Sequence, residues 1–390
     1  METTCLTADS PGNNQLLYFT STSLTSDGRT LVMISDRSGD PNLVARDLSS
    51  GRERVLTDNR EGWLKSYVYF DGRPGVGFAR ASISLDAPRG IAYYIQGREL
   101  RAVDLDGAIR VLAQIPDGQV TAFTHVSGDG RYVCVPTTDA RALDGPITNN
   151  KPDHNIDARV VAEGLNSYLR VFDTQSGVEV ACAVVPRGWV THVQFAPDDN
   201  SRILYNHEWT ATERGIRRMW LWDGKQHHRL RSEGPGRSRD DWACHEMWAD
   251  GGRCAFYHGG FNHGASFVGR WQRDSGALSE VALPTGWKRY GHFTADPTGN
   301  LLVSDGYYQQ ADDPIGDAVS STCGVWISLQ RVDWQAKTIA WTPLCRHGSS
   351  WKSQDAHPHP IFDHTGQHVL FTSDVSGRRA VYRIGVPKTG

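Results

Sequence analysis

A short segment repeats along this chain, and the repeat limits the folds that the chain can adopt. In its two clearest copies, LVMISDRSG near the N-terminus matches VLFTSDVSG near the C-terminus. Each copy alternates apolar and polar residues between turns rich in glycine, aspartate and asparagine, which is typical of short antiparallel strands. With the weaker copies there are seven units, at residues 26–51, 90–107, 128–177, 198–224, 250–276, 297–333 and 364–386.

Seven units of this kind favour a closed arrangement of sheets. Four-stranded units that close in a ring form a β-propeller, which leaves only short and protected strand edges. An irregular β-sandwich does not easily accommodate a sevenfold repeat, and no long amphipathic helix is apparent. We therefore predict an all-β fold, a seven-bladed β-propeller, with residues 1–390 as a single domain.

Two longer insertions, around residues 139–166 and 306–323, follow the second strand of their units. In a propeller, loops at that position lie over one mouth of the central channel. Binding residues are often found on loops that a rigid scaffold holds in place. We expect both insertions to wall a cleft for a substrate.

Charge and composition argue against several classes of partner. The net charge is −3, so no basic surface favours nucleic acid. No apolar run approaches the roughly 18 residues of a membrane helix. The N-terminal METTCLTADSPG has no features of a secretory signal, and the seven cysteines are scattered without a CxxC pair. We expect a cytoplasmic protein with reduced thiols; its oligomeric state does not follow from the sequence.

Histidines recur at one position of the repeat. Five successive units carry a histidine five to seven residues before the first turn, near the start of the innermost strand: His125, His192, His245, His292 and His359. The second strands run back and end in His207, His258, Asp305 and Asp374. Both sets of side chains are expected to converge at one mouth of the channel.

The segment WKSQDAHPHPIF holds three of these donor side chains close together. Gln354, His357 and His359 occupy positions i, i+3 and i+5, with a proline after each histidine. With His292 as a fourth donor, they would form a shell for a divalent metal. Imidazole suits Zn, Fe, Ni and Cu, and harder oxygen ligands favour Mn or Mg, so the residues alone do not name the ion. Alternatively, HPHP is a rigid turn with ordinary hydrogen-bonding histidines.

Three further residues are candidates for catalysis or substrate binding. Arg218 offers a planar, two-pronged donor for a carboxylate, or is a solvated charge at a strand end. His245 in WACHEMW would suit a general base at neutral pH, or would line the channel bonded to a backbone carbonyl. His207 in NHEW would position substrate or simply lie at the end of a strand.

These segments resemble the oligogalacturonate lyases, seven-bladed propellers that cleave short pectin fragments. The resemblance is carried by residues 341–382 with their QxxHPHP motif, and by NHEW, RRMWLWDG, CHEMW and GHFTADPTGNLLVSDG. It covers most of the chain, but the segment before His245 reads WAC where the family has a glycine next to the histidine. The 139–166 insertion has no clear counterpart.

The resemblance implies a site and a reaction. It implies a manganese ion held by His292, Gln354, His357 and His359, with His245 as the base and Arg218 as the arginine that binds substrate. The reaction would be β-elimination on a small uronate oligosaccharide, in which the C5 proton leaves and the O4 glycosidic bond breaks to give a 4,5-unsaturated product. A metal and an arginine would stabilise the developing negative charge.

Two alternative functions remain open from the sequence. A propeller lyase acting on a different uronic-acid glycan would share base and metal and differ in its loops. A non-catalytic propeller similar to the TolB-type binding modules would need no metal shell. No paired carboxylates indicate a hydrolytic glycosidase, and no GxSxG motif indicates a peptidase.

Overall fold

The computed structural model divides into two compact units. The first unit is residues 20–234, and the second is residues 1–19 with 235–390. The structure describes residues 2–66, 70, 72–144, 156–208, 218–231, 242–260, 266–283, 287–289, 291–308 and 326–387. Almost all the regular structure in these residues is antiparallel β-sheet, which confirms the predicted all-β class.

The first unit contains four of the described sheets, each built from strands that follow one another along the chain. The strands of sheet 1 are Thr30–Ser35, Asn42–Asp47 and Glu53–Val55, with Leu24 bridged to Leu31. Those of sheet 2 are Phe78–Asp86, Ile91–Gln96, Glu99–Asp104 and Ile109–Gln114. Those of sheet 3 are Gln119–Thr121, His125–Val126, Tyr132–Asp139, Asn166–Asp173 and Glu179–Pro186. Those of sheet 4 are Val193–Ala196, Asp199–Asn206, Met219–Trp222 and His227–Arg229.

The second unit contains three further sheets. The strands of sheet 5 are Trp242–Ala249, Cys254–Gly260, Ser266–Gln272 and Leu278–Ala282. Those of sheet 6 are Phe293–Ala295, Leu302–Ser304, Trp326–Asp333 and Thr338–Arg346. Those of sheet 7 are Ile361–Phe362, His368–Ser373, Ala380–Gly385 and the N-terminal Thr3–Cys5, which pairs with Ala380–Gly385. The unit also has the short strand Asn14–Gln15 and a two-stranded ribbon of Trp287–Arg289 with Tyr307–Tyr308.

Among the residues that the structure describes, the helices are few and short. One α-helix, Ile156–Ala162, and one 3₁₀ turn, Ala140–Leu143, lie in the first predicted insertion. Two further 3₁₀ turns are Asp250–Gly252 and Gln354–Ala356. No helix among the described residues is long and apolar enough to cross a membrane. Residues 145–155 of the first predicted insertion and 309–323 of the second lie outside the described residues. The cleft-walling role of both insertions and the single-domain assignment stay predictions.

The hydrophobic core lies between neighbouring sheets, because strands present alternate residues to opposite faces. In the first unit, Val133 packs with residues of sheet 2, whereas the next residue, Cys134, packs with residues of sheet 4. In the second unit, Leu302 packs with sheet 5 and Val303 with sheet 7. The alternation seen in the repeats therefore reflects strands that are buried on both faces.

Candidate metal centre and active site

Three imidazoles converge in the second unit. One ligand nitrogen from each of His292, His357 and His359 lies within 4.8 Å of the other two. The ring centroids of His292 and His359 are 4.1 Å apart. His292 directly precedes the first strand of sheet 6, and the other two precede the first strand of sheet 7. The structure thus brings together three of the four residues that the sequence predicted as metal ligands. We call them the three-histidine cluster.

The backbone around HPHP explains this placement. Gln354 begins a 3₁₀ turn, and its carbonyl accepts the His357 N–H at 3.3 Å. His357 is extended, with φ −71° and ψ 138°, as expected for a residue before proline. The carbonyl of Pro358 accepts the N–H of Thr372 at 2.9 Å, which ties the segment to the second strand of sheet 7. Gln354, the fourth predicted ligand, lies three residues before His357, and its side-chain role stays a prediction.

Unusual backbone conformations concentrate at this cluster. Among the described residues, six that are not glycine have a positive φ, and three of them are His245, Trp351 and His359. Positive φ is sparsely populated by side-chain-bearing residues. Such strained positions tend to occur at functional sites, where surrounding contacts hold them. The local backbone therefore marks the same place as the histidines do.

Asp305 orients the cluster from the end of the second strand of sheet 6. Its buried Oδ2 accepts the His292 Nδ1–H at 2.9 Å and the His359 backbone N–H at 3.2 Å. Burial raises the pKa of Asp305, but the charge and hydrogen bond of His292 and the charges of His347 and His357 lower it more, so the net pKa is below the usual value. The carboxyl is therefore ionised. The absence of a side chain at Gly291 leaves room for the Asp305 carboxylate, since a Cβ at position 291 would lie 1.9 Å from Asp305 Oδ1.

This donor set fits a divalent metal ion. A histidine that ligates a metal typically donates its second N–H to a carboxylate, which fixes the tautomer and increases the basicity of the ligating nitrogen. His292 has this arrangement, because its Nδ1–H is engaged with Asp305 and Nε2 is left for a metal. Imidazole nitrogens within 4.8 Å of one another can share one ion without large movements.

His245 lies beside the three-histidine cluster. The ring centroids of His245 and His292 are 4.7 Å apart, and His245 Nδ1 is 2.8 Å from His258 Nε2. His245 has a φ of 53°, and the pairing register of its strand shifts between Cys244 and Met247. Irregularities of this kind re-aim side chains, often next to active sites.

Aromatic side chains cover the cluster. The buried ring of Phe19 lies 5.4 Å from that of His245, 5.5 Å from that of His292 and 5.7 Å from that of His359, all between centroids. The Trp351 ring lies 4.2 Å from His357. Apolar neighbours restrict water, which strengthens electrostatic interactions at the site.

A second polar cluster lies in the first unit, around Arg218. The Arg218 side chain is buried; its NH1 donates to Glu208 Oε2 at 3.0 Å and its NH2 donates to His192 Nδ1 at 2.8 Å. Glu208 Oε2 also accepts from Thr191 Oγ1 and Asn206 Nδ2. The alternative in which Arg218 is a solvated charge is therefore wrong.

His207 and His125 are neutral histidines of the first unit. Burial, with a smaller contribution from His227, lowers the pKa of His207 to about 4. Burial likewise lowers the pKa of His125 to about 4. His125 Nδ1 accepts the Phe195 backbone N–H at 3.2 Å, which is a structural hydrogen bond. The His207 backbone N–H donates to the Arg218 backbone carbonyl at 3.0 Å, so His207 lies next to Arg218 along paired strands.

Comparison with known proteins identifies the family. A sequence model of the family described as "Oligogalacturonate lyase" matches residues 17–390. The chain belongs to the oligogalacturonate lyase family. It is 25% identical over 310 residues to the oligogalacturonate lyase of Dickeya dadantii (strain 3937), covering 76% of this chain and 74% of that protein. It is 26% identical over 212 residues to the oligogalacturonide lyase of Pectobacterium atrosepticum, covering 51% of this chain and 50% of that protein.

Solved structures of proteins with the family name have the same fold as this family member. An oligogalacturonate lyase in complex with manganese aligns with a TM-score of 0.75 at 22% identity, over 96% of this chain and 91% of that one. An oligogalacturonate lyase from Vibrio parahaemolyticus aligns with a TM-score of 0.76 at 21% identity, over 99% and 94%. The predicted seven-bladed β-propeller class is confirmed.

Several residues of this family member were not assigned roles from its sequence. Asp305 and His258 were noted only as strand ends, and their hydrogen bonds to His292 and His245 depend on tertiary contacts. Glu208 lies inside the NHEW segment, and Phe19 lies inside the N-terminal segment LLYFTST. The sequence signal for these residues is that they lie in or next to segments that resemble the family.

Proposed function

We propose that this protein cleaves oligogalacturonates by metal-assisted β-elimination and releases 4,5-unsaturated uronate products. Family membership supports the reaction class. The observation that carries the proposal is the three-histidine cluster, oriented by ionised Asp305 and flanked by His245. A metal shell and an adjacent imidazole base are the groups that removal of a weakly acidic C5 proton requires.

We propose manganese as the ion, with His292, His357, His359 and Gln354 as its protein ligands. Its presence in a solved structure of similar fold supports this choice. When bound, the ion supplies a Lewis acid for the negative charge that develops on the uronate carboxylate. The amide oxygen of Gln354 would add the hard ligand that makes the shell suit manganese.

His245 is the proposed base. Its Nδ1–H donates to His258 Nε2 in the productive tautomer, across the 2.8 Å contact. His245 Nε2 is then the atom that accepts the C5 proton. The register shift and the positive φ hold the imidazole beside His292, so His258 and the strand irregularity together orient the base.

Arg218 and His207 are the proposed substrate-binding residues. Glu208 and His192 hold the Arg218 guanidinium in one orientation, and the planar, two-pronged geometry of a guanidinium matches that of a carboxylate. His207, whose pKa is about 4 because of burial, is a neutral imidazole at the pH of the cell and suits a sugar hydroxyl.

We further propose that the protein works in the cytoplasm, as one domain, on small uronate oligosaccharides. The six cysteines among the described residues are thiols rather than disulfides, which suits a reducing compartment. A cytoplasmic enzyme meets only those oligosaccharides that are small enough to be taken up by the cell.

Incubation with digalacturonate and Mn²⁺ tests the proposal. The expected result is growth of ultraviolet absorbance from the conjugated double bond of the product. Turnover of a glucuronate-containing oligosaccharide in place of digalacturonate would point to a lyase for another uronide. Binding of uronates without any turnover, in protein that contains manganese, would contradict the lyase proposal and favour a binding module.

A further inference from the structure

Cys244, His245 and His258 form a second cluster of metal-ligating side chains in the second unit. One ligand atom from each lies within 4.8 Å of the other two. Cys244 is a partly buried thiol. The proposed reaction uses His245 as a base and His258 as its partner, but it leaves Cys244 without a task. We call these three residues the Cys–His–His cluster.

The strand irregularity explains why two consecutive residues belong to one cluster. Cys244 and His258 are direct partners on adjacent strands of sheet 5, so their side chains lie on the same face. In a regular strand His245 would point to the opposite face. The φ of 53° at His245 and the register shift between Cys244 and Met247 break that alternation. As a result His245 Nδ1 comes within 2.8 Å of His258 Nε2.

We propose that the Cys–His–His cluster binds a soft divalent cation, with Zn²⁺ as the best match, and that this binding inhibits the enzyme. Thiolate and imidazole are the ligands that Zn²⁺ prefers, at about 2.3 Å for sulfur and about 2.0–2.1 Å for nitrogen. Ligand atoms already within 4.8 Å of one another need only small movements to surround an ion. Three protein ligands leave a fourth position for water.

The two neighbouring clusters differ in the ion that they favour. The proposed manganese shell contains imidazoles and an amide oxygen, and Mn²⁺ is a poor partner for thiolate. The Cys–His–His cluster contains the only sulfur ligand in either group. Manganese is therefore expected to leave this cluster empty, whereas zinc or cobalt is expected to occupy it.

Inhibition follows from the proton positions. On binding, the Cys244 thiol releases its proton to solvent, and His245 Nδ1 exchanges its hydrogen bond with His258 for the metal. The His245 proton then resides on Nε2, the atom that would otherwise accept the C5 proton. Inhibition thus rests on the proposed function of His245, whereas metal binding by the cluster does not.

Cobalt is the probe for binding, because thiolate ligation of Co²⁺ produces a near-ultraviolet charge-transfer band that imidazole ligation does not. Titration of the manganese-loaded protein with Co²⁺ should produce this band. The band should be absent from Cys244→Ser and retained in Cys182→Ser, which removes an exposed thiol of sheet 3. It should also persist in His357→Ala, which removes a ligand of the other cluster. Absence of the band from the wild type, or its persistence in Cys244→Ser, would overturn the proposal.

Zinc inhibition tests the consequence separately. Removal of a group that only hydrogen-bonds to a metal ligand typically lowers metal affinity by about 10–100-fold. Cys244→Ser removes a ligand itself, so the Zn²⁺ concentration needed for inhibition should rise at least tenfold in this variant. Manganese content measured at each zinc concentration distinguishes occupation of the Cys–His–His cluster from displacement of manganese. Equal zinc sensitivity in the wild type and Cys244→Ser, with manganese retained, would overturn the inhibitory role. If the protein has no lyase activity, the cobalt band still decides whether the cluster binds metal.

Discussion

Asp305 Oδ2 lies 2.9 Å from His292 Nδ1 and determines which nitrogen of that imidazole faces His357 and His359. The same oxygen accepts the backbone N–H of His359. One buried carboxylate from the second strand of sheet 6 thus holds residues that precede the first strands of sheets 6 and 7. The geometry of the three-histidine cluster depends on this single side chain as much as on the ligands.

Replacement of Asp305 by asparagine should weaken metal binding. The substitution preserves size but removes the negative charge that increases the basicity of the His292 ligating nitrogen. Loss of such a supporting group typically lowers metal affinity by about 10–100-fold. Calorimetric titration with Mn²⁺ measures the change. The matched control is Asp363→Asn, which removes a carboxylate bonded to His368 Nδ1 at 2.9 Å in sheet 7 and should leave the affinity as it is. Equal affinity in both variants would contradict the orienting role of Asp305.

Removal of the metal should abolish turnover. Exhaustive chelation is expected to inactivate the enzyme, and added Mn²⁺ to restore activity. His357→Ala should lose bound manganese and keep its β-sheet circular dichroism, because His357 lies outside the strands of sheet 7. His368→Ala, within sheet 7, is the control and should retain manganese. Undiminished activity after chelation would exclude a catalytic metal.

The His245→Ala variant should lose turnover but still bind manganese. General-base catalysis is typically worth about 10²–10⁴-fold, and the imidazole is beside the proposed ligands without being one of them. Steady-state kinetics together with metal analysis separates the two effects. A loss of less than tenfold would mean that another group takes the proton.

Arg218→Lys should raise KM and lower kcat for a uronate substrate. Lysine keeps the charge but loses the planar fork that contacts Glu208 and His192 and that would match a carboxylate. An interaction that strengthens as negative charge develops affects both constants. A substrate with esterified carboxylates serves as the control, since its partner charge is gone and the substitution should matter much less. Equal losses on both substrates would make Arg218 a structural residue of the first unit.

Stability should fall on acidification partly through His207. Burial lowers the pKa of this histidine from 6.5 to about 4 in the folded state, so the unfolded chain binds more protons between these values. By linkage, the free energy of unfolding then decreases as pH falls from 6.5 to about 4. In His207→Gln, melting temperatures should depend less on pH in this window and follow the wild type above it. The same pH dependence in both proteins would show that His207 is protonated without cost.

The features predicted from the sequence are those with local signals. Period-two alternation and turn residues mark each strand pair, and equivalent positions in successive repeats identified the histidines near the starts of innermost strands. The contacts of Asp305 and Glu208 could not be predicted in this way, because they join residues of different strands and loops. The irregularity at His245 depends on pairing register, which a single strand does not specify. The strand Thr3–Cys5 of sheet 7 is too short to carry a recognisable pattern.

The pairing of Thr3–Cys5 with Ala380–Gly385 has a consequence for the order in which the protein folds during and after its synthesis. A nascent chain leaving the ribosome cannot complete sheet 7 until its last strand has been made. His357 and His359 directly precede Ile361–Phe362 of that sheet, so these two proposed metal ligands reach their final surroundings only when the sheet forms. Closing such a distant contact is slow, because the chain between its ends must first be ordered. We therefore expect the three-histidine cluster to take up its metal after Thr3–Cys5 has paired with Ala380–Gly385.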